Sequence, residues 1–334
     1  MQPDPRDPSG PRRIHRRALL GGLSLPFLAT RQAGAQGAYP NRPVRFVVPF
    51  TPGSGAELAV RFVGGKFTEI TGQPAIIEPR GGGNGFIGVQ AVLSSPRDGY
   101  TLLAGSNATL ATNAALFRTL PYDPIGDFEP VSMMIQSPIL LVVPASSPHR
   151  TLADVVAAAK ARSGQLNIAT GSAGYQLMAA LLAQKAGFTF VNVPYKSAPD
   201  AVLGVVTGQV DLGVADITSV IGMVRGGQVR PLAIASERRH KALPDLSTAE
   251  EAGVAGFTAA PWNAVAAPRD VPEAVVRRLS DLFVQIMAMP ETRAFFDEQL
   301  VEIMPSGREA VRRYQREEIA KWKRIAADAR IEPQ

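Results

Sequence analysis

Strand-like and helix-like stretches alternate from residue 44 onward, and this alternation limits the possible folds more than any other feature. Val44 to Val48 is a short β-branched run closed by Pro49. Ala56 to Ile70 reads as a helix stopped by Gly72. Ala75 to Glu78 reads as a strand, Phe86 to Leu93 as a helix ending near Pro96, and Thr101 to Ala104 as a third strand. A βαβαβ order of this kind covers both faces of a parallel sheet with helices. A second series opens with the apolar strand Ile139 to Val143. It continues through a helix from Leu152 to Arg162, started by a capping-box-like Thr151 and Asp154 and stopped by Gly164. Strands follow at Leu166 to Ala169, Phe190 to Val193, Val210 to Val214 and Leu232 to Ala235, with helices at Tyr175 to Ala186 and near Ala198 to Thr207. Trp262 to Ala266 reads as a return strand. Two helices close the chain. One begins at Asp270, with Pro272 in its first turn and Glu273 three residues on. The other begins at Ser306, with Glu309 completing a capping box, and runs to about Asp328. At 334 residues the chain exceeds one average domain. The expected division is one lobe from 36–138 plus 259–334 and a second from 139–258, each a mostly parallel sheet flanked by helices, with the C-terminal segment on the first lobe.

The N-terminus carries a different signal. Arg12, Arg13, Arg16 and Arg17 precede an apolar run from Ala18 to Ala29, and Ala33-Gly34-Ala35 offers small residues before Gln36. That order is the secretory signal pattern, so 1–35 is expected to be removed and the product to be periplasmic. Arg16-Arg17-Ala18-Leu19-Leu20 also fits a twin-arginine signal, and a basic tail that is never cleaved is the alternative. The apolar run is shorter than the roughly 18 to 20 residues that span a bilayer. Six arginines and two aspartates lie in 1–35, out of 35 basic and 29 acidic residues overall, so the remainder carries a net charge of only +2. A nucleic-acid footprint therefore has no basis. The chain has no cysteine, which excludes disulfides, thiolate metal sites, cysteine nucleophiles and a lipoprotein anchor.

Candidate binding residues follow from the expected sheet. Ligands of open α/β sheets sit beyond the carboxyl ends of strands, where helix N-termini offer free N–H groups and partial positive charge to anions. Two glycine-containing loops have this placement. One runs through Phe50, Pro52, Gly53, Ser54 and Gly55, the other through Gly171, Ser172, Ala173 and Gly174. Ser106 and Asn107, Tyr195 and Lys196, and Asp216 follow other strands. Each of these is more often a plain turn or capping residue than a ligand contact, and the case for them rests on their expected convergence at one edge. Gly83 to Gly88 matches G-x-G-x-x-G, but Pro79, Gly81 and Gly82 separate it from its strand and no acidic residue closes Thr101 to Ala104. A dinucleotide site needs both features. Outside 1–35 the histidines are His149 and His240, with no G-x-S-x-G elbow and no zinc spacing. No catalytic residue, metal or cofactor is assigned.

These same residues carry a family resemblance. Pro49-Phe50-Thr51-Pro52-Gly53-Ser54-Gly55 resembles the "PF-x-PGG" opening of the Bug solute receptors, the extracytoplasmic subunits of tripartite tricarboxylate transporters. Glu78 to Gly88 resembles "ENRPGAGGNIG", Pro96 to Thr101 resembles "PDGYT", and Pro121-Tyr122-Asp123-Pro124 with Asp127 to Val131 resembles "PYDP…DFAPV". Val193 to Lys196, Gly208 to Asp211, and Leu243 to Asp245 leading to Glu250 to Gly253 follow in order. The resemblance implies a two-lobed periplasmic-binding-protein (Venus-flytrap, type II) fold. It implies a monomer that captures a small carboxylate between its lobes, largely with backbone N–H groups and ordered waters, and delivers it to integral membrane subunits or a signalling partner. An enzyme on the same scaffold is the more distant alternative. Carried over by position, Phe50 and Pro52 to Gly55 fall in the first binding loop, Gly171 to Gly174 in the second, and Asp216 near its neighbouring contact. Ser54 stands where the family usually has glycine, Glu57 where it has aspartate, and Gln176 where it has histidine. These departures bear on ligand identity rather than fold.

Overall fold

The computed structural model describes residues 39–50, 55–304 and 307–333. The signal reading of 1–35 and the loop residues Pro52, Gly53 and Ser54 lie outside the described residues. Among the described residues eleven strands form two sheets. The first series gives β1 (Val44–Val48), α1 (Gly55–Thr71), β2 (Ala75–Pro79), α2 (Phe86–Leu93) and β3 (Thr101–Ser106). A turn of π-type pitch at Ala108–Thr112 leads into α3 (Asn113–Leu116) and then β4 (Phe128–Gln136). The second series gives β5 (Ile139–Pro144), α4 (Leu152–Ala161), β6 (Leu166–Thr170), α5 (Ala173–Ala186), β7 (Phe190–Pro194), α6 (Ala198–Val206), β8 (Leu212–Asp216), α7 (Ile217–Arg225) and β9 (Val229–Ile234). The chain then returns through β10 (Trp262–Pro268), α8 (Glu273–Ala288), α9 (Pro290–Glu298), β11 (Glu302–Ile303) and α10 (Arg308–Asp328).

The two sheets share one plan. The first runs β11-β4-β10-β3-β1-β2 and the second β7-β6-β8-β5-β9. In each, the strand that enters from the other lobe, β10 or β5, is inserted between the third and fourth local strands and runs antiparallel to both. The remaining local pairs, β1 with β2 and β3, and β6 with β7 and β8, are parallel. The short β11 pairs antiparallel with β4 at the edge of the first sheet. The result is a two-lobed α/β fold with mixed sheets in which β1 to β4, and likewise β6 to β9, run in one direction. Strands inside the sheets are apolar throughout because both faces are covered. Leu102, Leu103, Leu140, Leu141 and Val142 are all fully buried.

Local chemistry explains most element ends. Thr151 accepts from the Asp154 N–H at 3.1 Å while Asp154 accepts from the Thr151 N–H at 2.9 Å, so the expected capping box is formed. Gly187, at φ 72°, ends α5 in the left-handed conformation that glycine adopts without strain. Two expected starts shift. The helix placed at Asp270 opens at Glu273 after Pro272, and Asp270 instead takes a left-handed turn at φ 69°. The last helix opens at Arg308 after Gly307, with Ser306 outside the described residues. Three helices, not two, follow β10, because the chain turns at Met289 and Pro290 restarts it. The last helix packs on both lobes. Val311 and Ile319 join a first-lobe cluster, while Trp322, Ile325 and Ala326 join the cluster around α5.

Candidate functional site

A cavity of about 720 Å³ lies where the carboxyl ends of β1, β3, β6, β7 and β8 face one another. Every described residue singled out in the sequence as a ligand contact lines it. Phe50 and Gly55 come from the first loop, Ser106 and Asn107 from the end of β3, Gly171 to Gly174 from the loop before α5, Tyr195 from the end of β7, and Asp216 from the end of β8. Lys196 lines it as well. A second recess of about 640 Å³ is of another character. Its lining includes Glu129, Glu273, Arg308 and Arg312, whose charges pair with one another.

The cavity's electrostatics come from the backbone. The first residues of α1, α5 and α6 and the first turn of α7 all border it. Each helix N-terminus presents N–H groups without intrahelical acceptors and about half a positive charge. Four such ends border one space, and α5, whose N-cap Ser172 makes no side-chain capping bond, leaves its N–H groups to seat an anion with little help from cationic side chains. Among the described residues, Lys196 is the one cationic side chain on the wall and Asp216 the one acidic side chain.

Asp216 is fixed by its neighbours. Its Oδ1 accepts from the Ser219 N–H at 3.0 Å and from the Thr218 hydroxyl. Its Oδ2 accepts from the Tyr175 hydroxyl at 2.6 Å and the Ser219 hydroxyl at 2.7 Å. It therefore caps α7 and ties α7 to α5. Burial, together with the adjacent Asp216 charge, pushes the Tyr175 hydroxyl well above its usual pKa, so it stays protonated and donates. Ser197 caps α6 by accepting from the Asp200 N–H at 3.3 Å. On the other wall, Ser106 Oγ accepts from the Ala108 N–H at 3.1 Å, which shapes the turn that carries Asn107. The lobes touch at this level. A Cβ placed on Gly55 would lie 2.8 Å from Thr218 Oγ1.

Several wall residues carry no sequence signal of their own. Gly82 to Gly85 line the cavity, although the sequence marks this stretch only as a false dinucleotide motif. The glycines serve close packing here. A Cβ on Gly88 would lie 2.9 Å from the Pro49 side chain and 3.0 Å from its Cα, so α2 rests directly under the first loop. Trp262, Phe295 and Phe296 bring rings to the wall from the return strand and α9, far along the chain from the loops. Tyr175, Thr218 and Ser219 were findable in principle. They directly follow the loop at Gly171 and the residue Asp216, within the first turns of α5 and α7.

Among the described residues no helix is long and apolar enough to cross a membrane, and no group of three His, Asp or Glu is placed to hold a metal ion. Comparison with known proteins agrees with the geometry. Protein BugT of Bordetella pertussis is 33% identical over 256 residues, covering 75% of this chain and 78% of BugT. The solved structure of R. palustris Rpa4515 with adipate superposes with a TM-score of 0.84 at 31% identity, covering 89% of this chain and 100% of that one. MatC (Rpa3494) of Rhodopseudomonas palustris with bound malate gives a TM-score of 0.78 at 28% identity, over 86% and 99%. The model of the tripartite tricarboxylate transporter family receptor matches residues 59–330. With two lobes of one plan closing on a cavity at their strand ends, and this match over most of its length, the chain belongs to the tripartite tricarboxylate transporter receptor family.

Proposed function

We propose that this protein is a periplasmic receptor that captures a small organic acid between its lobes and hands it to the integral membrane subunits of a tripartite transporter. The observation that carries the reading is the meeting of four helix N-termini at one cavity whose described wall holds a single cationic side chain. Such a site binds a carboxylate through N–H donors and hydroxyls. The relatives solved with adipate and with malate support the same class of ligand. In this reading the ligand-contacting residues are Phe50, Pro52 to Gly55, Ser106, Asn107, Gly171 to Gly174, Tyr195 and Asp216. The lobes divide at 138/139 and 258/259, and 1–35 directs export. The protein acts by closing on its ligand and carries out no chemistry on it.

The test is a thermal-shift screen of residues 36–334 against mono-, di- and tricarboxylates, aromatic acids, amino acids and neutral sugars. A ligand that binds only the folded state raises the melting temperature by mass action, by about 2.7 kcal/mol of apparent stability at a hundredfold excess over Kd. At least one carboxylate is expected to give a saturable shift. Shifts from sugars alone, or from no carboxylate, contradict the proposal.

A further inference from the structure

Helix ends and turns supply one side of the cavity, and the first-lobe core supplies another. Phe50, Ile135, Phe295, Phe296 and Val301 all line the cavity. Each belongs to, or packs against, the same first-lobe apolar cluster, so together they form one continuous flank. The flank is firmly held. Phe295 stacks on Phe62 of α1 with ring centroids 3.9 Å apart and planes at 7°, and it meets Phe296 edge to face at 5.2 Å. Leu58, also on the cavity wall, lies one helical turn before Phe62 and so on the same side of α1.

The protein leaves part of this flank uncovered. Leu58 is 46% exposed, and Phe50 and Phe295 are half-buried. A single exposed apolar side chain on a convex surface is ordinary, but these share one cavity, where a bound molecule takes them out of water. The cavity, at about 720 Å³, is far larger than a carboxylate group, so most of a ligand's surface meets walls other than the helix ends. Hydroxyl groups on the ligand's body would give up water against this flank and gain no donor or acceptor from its side chains. Methylene or ring carbons gain by leaving water there.

We infer that the cavity selects acids with an apolar body, an alkyl chain or a carbon ring, over hydroxylated acids of the same charge and size, and that the carbon skeleton lies on the first-lobe flank of Leu58 and Phe295. This rests on the carboxylate reading above and adds the part of the ligand which that reading leaves open. Leu58, at the exposed edge of the flank, is a specificity-determining residue.

Calorimetry with three pairs matched in charge and carbon number tests it: hexanoate and gluconate, adipate and galactarate, cyclohexanecarboxylate and quinate. In every pair with a binding member, the acid without hydroxyls on its body is expected to bind at least about tenfold tighter, within the discrimination an apolar wall makes against added hydroxyls. Its binding should also carry a negative heat-capacity change, the mark of apolar burial. A hydroxylated acid that binds as tightly as its partner overturns the inference and leaves the carboxylate reading intact. Binding by none of the six overturns both. Two variants then locate the flank, using the acid that binds best. Leu58→Gln changes an exposed helix position to another good helix former, so the free protein should keep its melting temperature. Affinity should fall roughly three- to tenfold, with a smaller heat-capacity change and a narrower gap to the hydroxylated partner. Leu58→Met keeps the apolar surface and should hold affinity within about twofold. Wild-type affinity and an unchanged gap in Leu58→Gln, or a loss in Leu58→Met as large as in Leu58→Gln, overturns the assignment.

Discussion

The two lobes follow the same strand order but complete their cores differently. The two apolar clusters of the first lobe draw on no residue between Ile139 and Phe257. The clusters of the second lobe are finished by outsiders. Ala115 and Leu116 of α3, with Trp322, Ile325 and Ala326 of α10, pack around α5, and Leu300 enters the cluster formed by Leu140, Val220 and Ile234. A shared topology therefore does not make the lobes equal partners. The first can bury its own surface, whereas the second depends on pieces lent from both sides of the crossing strands. Those loans pack the second lobe against α3, α10 and the turn after α9.

The largest expected effect breaks the stronger loan. Trp322 is fully buried and donates to Glu318 at 2.8 Å, so Trp322→Ala removes both packing and a bond. It is expected to cost about 3 to 5 kcal/mol in urea unfolding, the range for buried aromatic residues cut to alanine. If the second lobe depends on this side chain, probes in the two lobes should unfold at separate midpoints. A single shared midpoint with a small loss would show the lobes to be equally independent.

The next effect concerns Leu300, which is 4% exposed and sits at φ 60°, a left-handed conformation that suits glycine. The backbone cost is tolerated at a helix end because the side chain fills the other lobe's core. Leu300→Ala is expected to cost roughly 2 to 5 kcal/mol. Leu300→Gly should cost no more, although it removes one further carbon, because glycine is free of the left-handed penalty. A glycine variant clearly less stable than the alanine variant would contradict this balance.

Smaller again is a pair of glycines facing the cavity from opposite lobes. A Cβ on Gly171 meets the backbone of Ser197 and Ala198, which cannot turn aside, whereas one on Gly55 meets the Thr218 hydroxyl. Gly171→Ala is expected to cost about 1 to 3 kcal/mol and to displace the start of α6, and Gly55→Ala to cost less. Equal losses on thermal unfolding would remove the distinction.

The smallest effect is a pH dependence. His240, on the second-lobe segment between β9 and β10, is 8% exposed and accepts the Ala242 N–H at Nδ1 over 3.2 Å. Burial holds its pKa below the ordinary 6.5, outweighing the opposite pull of Glu302 and Asp297. The unfolded chain then binds a proton that the folded chain resists. Stability from this group is complete above about pH 6.5 and is lost as the pH falls below it. Unfolding measured from pH 7.5 to 5 should show a steeper acid loss in the wild type than in His240→Gln, and parallel curves would contradict it.

The repeated alternation of strands and helices, and the loops at the strand ends, were legible in the sequence because both depend on local chemistry: β-branched runs, glycine stops and capping residues such as Thr151. β4 went unread because Pro130, Ser132 and Gln136 interrupt its apolar pattern, and its place in the sheet is made by β10 pairing from far along the chain. The aromatic wall escaped for the same reason. Nothing near Phe295 or Trp262 in sequence says that it will face Gly171.

The central claim is that the cavity between the lobes is the ligand seat, and the chain's two tryptophans allow a direct measurement. Trp262 lines the cavity, whereas Trp322 lies in the core around α5. In Trp322→Phe, fluorescence reports on Trp262 alone. Titration of this variant with adipate, or with the acid giving the largest thermal shift, should produce a saturable change with one-to-one stoichiometry and the affinity found by calorimetry. Binding seen by calorimetry with no change in Trp262 emission would place the ligand elsewhere and contradict the account.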